Sequence, residues 1–182
     1  MLLFARNFFR HPALLGSLVP SSSFLVNSVL DRVNWDRAGV IVEYGPGVGT
    51  MTEKILERMR PDALLIAIEL NLEFVDFLSK KIDDPRLRIV HSSASGVRDI
   101  LAALSLGRAD YVISGIPYSS IAHPLRREIV KQTRELLHPD GALLVYQFTK
   151  TVLPYLESHF ASVKQNVQLL NILPARIFYC TP

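Results

Sequence analysis

The chain has 182 residues, 49% of them hydrophobic and 20% charged, which excludes a disordered polar chain and fits one domain or two small ones. A chain of this size buries enough surface to fold without staples. Its single cysteine, Cys180, closes no internal disulfide, so a reducing cytoplasm fits and a cysteine-built zinc site is excluded; no metal is expected. Twenty Lys and Arg against 17 Asp and Glu give +3, a balance that allows an anionic surface as partner without demanding one.

Residues 1–10 open the chain with a helical pattern. Met1, Leu2, Phe4, Ala5, Phe8 and Phe9 share one broad arc, with Arg6, Asn7 and Arg10 opposite and Leu3 among them. A short basic helix with aromatics on its apolar face can lie in a membrane interface or pack on the protein's own sheet, and the pattern does not choose between them. It is not a good secretory signal, because Arg6, Asn7 and Arg10 cut the apolar stretch and no charged region precedes it. Its lack of acids before Asp31 would suit an organelle transit peptide, but a place within the fold is the preferred reading. Pro12 and Pro20 break the chain, and residues 21–23, all serine, can cap a second helix over 24–33. These elements form an N-terminal unit, residues 1–37, ahead of a main domain, residues 38–182.

From residue 40 onward short apolar runs alternate with amphipathic stretches. Strands are predicted over 40–44, 64–69, 87–91, 111–114 and 142–147, with the continuous apolar character of strands buried on both faces. Helices are predicted between them over 50–59, 72–82, 97–104 and 125–137, punctuated by Pro61, Pro85 and the Pro139-Asp140-Gly141 turn. That alternation implies right-handed crossovers and a mostly parallel sheet covered by helices. The tail differs: runs at 162–170 and 176–180 leave room only for a short turn, so they should be antiparallel. The expected fold is α/β and Rossmann-like, a seven-stranded mostly parallel sheet with an antiparallel last strand, of the methyltransferase type rather than the dehydrogenase type. No apolar run approaches the roughly 20 residues of a membrane span.

The most informative segment is Glu43-Tyr44-Gly45-Pro46-Gly47-Val48-Gly49-Thr50, ending the first strand and opening a helix. Glycines there let the backbone turn sharply and approach a ligand. Thr50 breaks the dinucleotide fingerprint, and no Gly-Lys-Ser/Thr follows to make a phosphate loop. Glu43 would repel a diphosphate and attract a cationic group. Glu69, ending the second strand, can accept both hydroxyls of a ribose. Ser93 and Ala94 follow the third strand, where small residues can meet an adenine edge. Ser114-Gly115-Ile116-Pro117-Tyr118 follows the fourth, at the sheet edge where α/β proteins bind ligands. Together these residues suit S-adenosylmethionine better than NAD or ATP.

With these motifs the chain resembles a class I S-adenosylmethionine-dependent methyltransferase. More narrowly it is similar to the small bacterial phospholipid N-methyltransferases, relatives of the ribosomal RNA adenine dimethylases. The narrower likeness rests on Phe9-Arg10-His11-Pro12, Gly16-Ser17-Leu18-Val19-Pro20-Ser21-Ser22, the glycine motif, Ser114-Gly115-Ile116-Pro117-Tyr118, Tyr146-Gln147-Phe148-Thr149 and Asn171-Ile172-Leu173-Pro174-Ala175-Arg176. It implies methyl transfer to the ethanolamine nitrogen of a phospholipid such as phosphatidylethanolamine. It implies a cofactor loop of Glu43, Gly45, Gly47 and Gly49, with Glu69 on the ribose, Ser93 and Ala94 on the adenine, Ser114 beside the cofactor, and Ser21 and Ser22 closing over it. The N-terminal helix would seat the enzyme on an anionic bilayer, making it cytoplasmic and peripherally membrane-associated. Ser114 stands where the RNA enzymes carry Asn or Asp, and their C-terminal helical domain has no counterpart in this sequence. Nucleic acid is therefore not expected as substrate, and a monomer is expected.

Methyl transfer to an amine chiefly needs positioning, then an aromatic surface to hold the methylated ammonium. Tyr118, Tyr146 and Phe148 are candidates for that surface, and His123 or Tyr118 for a general base, with water or lipid phosphate able to take the proton instead. Arg126, Arg127, Lys131 and Arg134 on one helix could meet a lipid phosphate or form a solvated face. Two other functions stay open: a methyltransferase acting on a soluble small molecule or on ribosomal RNA adenine, and a non-catalytic cofactor- or membrane-binding module.

Overall fold

A computed structural model describes residues 22–170 and 174–182. Helix α1 (Ser23–Leu30) leads into β1 (Val40–Tyr44), α2 (Thr50–Arg58), β2 (Leu64–Glu69), α3 (Leu72–Lys81) and β3 (Leu87–His91). Then come α4 (Val97–Ala103), β4 (Ala109–Ser114), α5 (His123–Leu136), β5 (Leu137–Gln147), α6 (Leu153–His159), β6 (Ser162–Gln168) and β7 (Ala175–Thr181). The amphipathic helix expected over residues 1–10 lies outside the described residues. No described helix is long and apolar enough to cross a membrane.

The seven strands form one sheet in the order β3-β2-β1-β4-β5-β7-β6. β1 to β5 pair in parallel, and β7 runs antiparallel to both β5 and β6. The fold is Rossmann-like, with the reversed strand inserted between β5 and β6. Strand alternation divides the core. Ile41, Leu65, Ile113, Leu144 and Ile177 face α1 and α2; Val42, Ile66, Val112, Val145 and Phe178 face the cluster that includes Val97, Ile129 and Leu156 of α4, α5 and α6. Buried side chains of this size contribute about 1.5–3 kcal/mol each, so burial on both faces makes the sheet the centre of the hydrophobic core.

Three details differ from the expectation. Helix α6 was not foreseen; Pro154 at its first turn marks a start there rather than a break. The Pro139-Asp140-Gly141 segment is an irregular opening of β5, where pairing with β4 slips between Ala109↔Leu137 and Tyr111↔Ala142. Helix α1 stops at Leu30 and not at residue 33; Ser22 is its cap, accepting from the Leu25 amide at 3.2 Å. Leu25, Val26, Val29 and Leu30 share a core with Ile55 and Leu65, so α1 is packed against the main sheet.

Candidate functional site

The parallel ladder continues past the strand ends and aligns three loops. The Gly45 amide donates to Ile68 O, the Gly115 amide to Tyr44 O, and the Ser92 amide to Glu69 O, each near 3 Å. Gly45, Gly47 and Gly49 all sit at positive φ (+71°, +57° and +86°), the left-handed region that favours glycine. A Cβ on Gly45 would stand 2.9 Å from Ile116 Cγ2, and one on Gly49 2.6 Å from Leu78 Cδ2. The loop is therefore clamped between the turn after β4 and helix α3.

Both strand-end acids are buried. Glu43 alternates to the α2 side, where the Thr52 hydroxyl donates to its Oε2 at 2.7 Å. Its Oε1 is buried without a hydrogen-bond partner among the described residues. Burial, with a smaller push from Glu69, raises the Glu43 pKa to about 8 against the opposing Thr52 bond. Glu69 accepts from the Gly47 amide at 3.1 Å and from the Asn71 amide at 2.8 Å, so one carboxylate ties the glycine loop to the start of α3. Burial raises its pKa too, opposed by those amides.

Glu69, Asn71, Ser92 and Ser93 form the polar wall of a cleft of about 310 Å³. Ile68, Phe74, Ala94, Ile116 and Ile129 supply its apolar walls, and Gly45 reaches its edge. Glu43 lies off this lining. The Ser93 hydroxyl caps the short turn at Ala94–Gly96, accepting from the Ser95 amide at 3.3 Å. Next to the cleft, across Ile116 and Pro117, is a second slot of about 130 Å³ walled by Gly115, Ser119, Tyr146, Gln147, Phe148 and Thr149. Burial and the Glu43 carboxylate push the Tyr146 phenol above its ordinary range. The Gln147 Nε2 is buried with no hydrogen-bond partner among the described residues.

The structure thus brings Gly45, Glu69, Ser93 and Ala94 to one cleft, with Tyr146 on the neighbouring slot. Ser114 and Tyr118 are not on either wall. Both are fully buried on the α5–α6 side, the Ser114 hydroxyl donating to Tyr118 Oη at 3.3 Å. His123 heads α5 on the outer surface, edge-on to Tyr155 at 5.2 Å between ring centres, in a separate groove with Arg127, Lys131 and His159. Ser22 donates to Leu170 O at 2.7 Å; Ser21 lies outside the described residues. Two residues went unnoticed in the sequence, and a third, Gln147, stood only within the Tyr146-Gln147-Phe148-Thr149 motif. Asn71 was detectable as a polar cap before an amphipathic run, Thr52 as a polar residue among the apolar inward positions Met51 and Ile55, and Gln147 as the polar end of an apolar strand.

A sequence model of the family described as ribosomal RNA adenine dimethylase matches residues 16–178. The chain is 29% identical to an ornithine lipid N-methyltransferase of Singulisphaera acidiphila, over 98% of its own length and 94% of that enzyme's. It is 25% identical to ribosomal RNA small subunit methyltransferase A of Dehalococcoides mccartyi over 92% of its length, spanning 58% of that protein. Its fold is similar to a crystal structure of precorrin-6y C5,15-methyltransferase from Geobacter metallireducens, with TM-score 0.68, 16% identity and 85% of each chain covered.

Proposed function

Because this chain belongs to the ribosomal RNA adenine dimethylase family and is an S-adenosylmethionine-dependent methyltransferase, we propose that its acceptor is the amine of a membrane-lipid head group, of the phosphatidylethanolamine or ornithine-lipid kind. The observation that carries the proposal is the second slot. At about 130 Å³ it is well below the roughly 300–1,000 Å³ of sites that enclose drug-sized ligands. It suits an aminoalkyl group better than a nucleoside. The span of the match, nearly all of a lipid enzyme but about three fifths of an RNA enzyme, supports the same choice.

The residues present fit the cofactor. The glycine loop leaves no room for side chains at positions 45 and 49, and the unpartnered Oε1 of Glu43 beneath the loop suits a cationic group. Glu69 still has acceptor capacity for a ribose beyond its two amide partners. S-adenosylmethionine, when bound, supplies a methyl group already activated on a sulfonium. The protein's part is then to hold the amine and keep water out. Tyr146 and Phe148 offer aromatic faces to the methylated ammonium, each worth about 0.5–2 kcal/mol. Among the described residues the slot's lining includes no carboxylate and no imidazole, so the amine's proton leaves to water or to an oxygen of the lipid itself. We place the enzyme at the membrane surface, with the basic amphipathic pattern of residues 1–10 as one anchor.

The family match favours one rival acceptor, an adenine of ribosomal RNA. Incubating the protein and methyl-labelled cofactor with a lipid panel, ribosomal RNA and a water-soluble amine separates them. Label in one lipid after chromatography of the organic phase is expected; label confined to RNA or to the soluble amine overturns the proposal.

A further inference from the structure

Eight large apolar side chains are exposed among the described residues, and their distribution is lopsided. Sheet register fixes where they stand. Tyr44, Ile68, Ser114 and Val145 are level across β1, β2, β4 and β5, just below the cleft. Val167 of β6 pairs with Arg176 of β7, which pairs with Gln147, two residues beyond that level. Leu169 and Leu170 follow Val167 and so project past the same edge. Leu70 and Leu72 come directly after the end of β2, and Leu125 lies in the first turn of α5, after β4. Phe24 joins them through α1: Ser22 at its cap donates to Leu170 O, and the Gln168 amide nitrogen reaches Phe24 O at 3.5 Å. Only Leu104, at the far end of α4, is elsewhere.

Seven of the eight thus surround the edge onto which the cleft opens, and Leu70 and Leu125 form part of its mouth. Single exposed leucines need no explanation, but a ring of them around one opening marks an interaction surface. Leu72, Leu125, Leu169 and Leu170 are each between 41% and 70% exposed. Their basic neighbours are the exposed Lys150 after β5, Arg127 in the second turn of α5, and Arg176 beside Val167, while the acids Glu69, Glu73 and Glu128 stand next to Leu70, Leu72 and Arg127. Apolar side chains that can enter an acyl layer, flanked by cations that can meet its head groups, match an anionic lipid surface.

Resting on the lipid-acceptor reading above, we propose that this rim is a membrane-docking face. It presents the cleft mouth directly to an anionic bilayer, so that the acceptor head group enters without the lipid leaving its leaflet. The docking is carried by the folded core and adds to whatever residues 1–10 contribute.

The test is co-sedimentation of the full chain with vesicles of phosphatidylcholine containing phosphatidylglycerol, comparing wild type with Leu72→Ser/Leu169→Ser/Leu170→Ser. These side chains are exposed and outside the cleft lining, so titration calorimetry should show unchanged cofactor binding in the variant. The expected result is a drop in vesicle partitioning of about tenfold or more, with activity on a short-chain acceptor lipid dispersed as monomers retained. Unchanged partitioning assigns membrane binding to residues 1–10 and overturns the proposal. So does a wild type that ignores vesicles and forms a dimer which the substitutions dissolve, or one that binds RNA instead. A wild type that sediments with vesicles through these leucines yet methylates no lipid would refute the acceptor assignment and leave the docking face standing.

Discussion

The Tyr146 phenol lies across Gly115 so closely that a Cβ built on the glycine would stand 2.3 Å from the phenolic oxygen and 2.6 Å from Cζ. β5 and the turn after β4 are thereby locked together at the wall of the acceptor slot. Gly115→Ala should push the ring out of place. Its expected effects are destabilisation by about 1–3 kcal/mol and a loss of methyl transfer of roughly tenfold or more, with cofactor affinity nearly unchanged. Adding Tyr146→Leu to that variant removes the clash, so the melting temperature should recover while activity does not. Recovery of both would show that the aromatic ring has no part in holding the acceptor.

Glu43 gives the protein a defined response to pH. Its folded-state pKa is about 8, against an ordinary value of 4.5 in the unfolded chain. Between those values the unfolded chain has lost the proton that the folded protein keeps. Stability therefore falls as pH rises through this window, and the loss is complete above about 8. Glu43→Gln should flatten that slope and exceed wild type at pH 9 by on the order of 2–4 kcal/mol, measured by denaturant titration. A cation drawn to Glu43 favours the ionised form. Cofactor binding at pH 7 should therefore release protons and tighten toward pH 8. Calorimetry in buffers of different ionisation heat reads this directly, and equal heats in all buffers would remove Glu43 from cation recognition.

Most of the fold was legible because its strands are buried on both faces and its helices are amphipathic. The apolar runs at Val40–Tyr44, Leu64–Glu69 and Leu87–His91 match their strands without adjustment. α6 escaped notice because it is short and Pro154 reads locally as a breaker. The insertion of β7 between β5 and β6 leaves no mark on local pattern, since strand order is decided by pairing between distant segments. The site divides in the same way. The glycine loop and the two acids stand out because their residue types conflict with their surroundings. Tyr118 looked equally eligible, but its burial on the other side of β4 depends on the path of the turn after that strand.

Glu69 should matter to both architecture and affinity. It holds the Gly47 and Asn71 amides 24 residues apart in sequence, each within 3.1 Å. Glu69→Ala leaves two partly buried amides without partners, at a cost of about 1–3 kcal/mol, and frees the loop that must cradle the cofactor. Cofactor affinity should fall by roughly one to two orders of magnitude. Glu69→Gln keeps one acceptor oxygen and should lose less of both. If calorimetry shows equal affinity for wild type and Glu69→Ala, the cleft's polar wall is not the ribose side.

His123 offers a test of where the proton goes. It heads α5 on the outer face, held edge-on to Tyr155, while the adjacent Arg126 guanidinium lies 5.2 Å from the same ring and donates to Ile121 O at 2.7 Å. Its groove is separate from both the cleft and the acceptor slot. A residue in that place contributes packing and surface charge. His123→Ala should therefore keep methyl transfer within about threefold of wild type, because loss of a positioned general base costs roughly a hundredfold or more. The pH dependence of kcat should also keep its shape. A fall of a hundredfold or more would instead make His123 the base and require α5 to shift toward the slot when the acceptor binds.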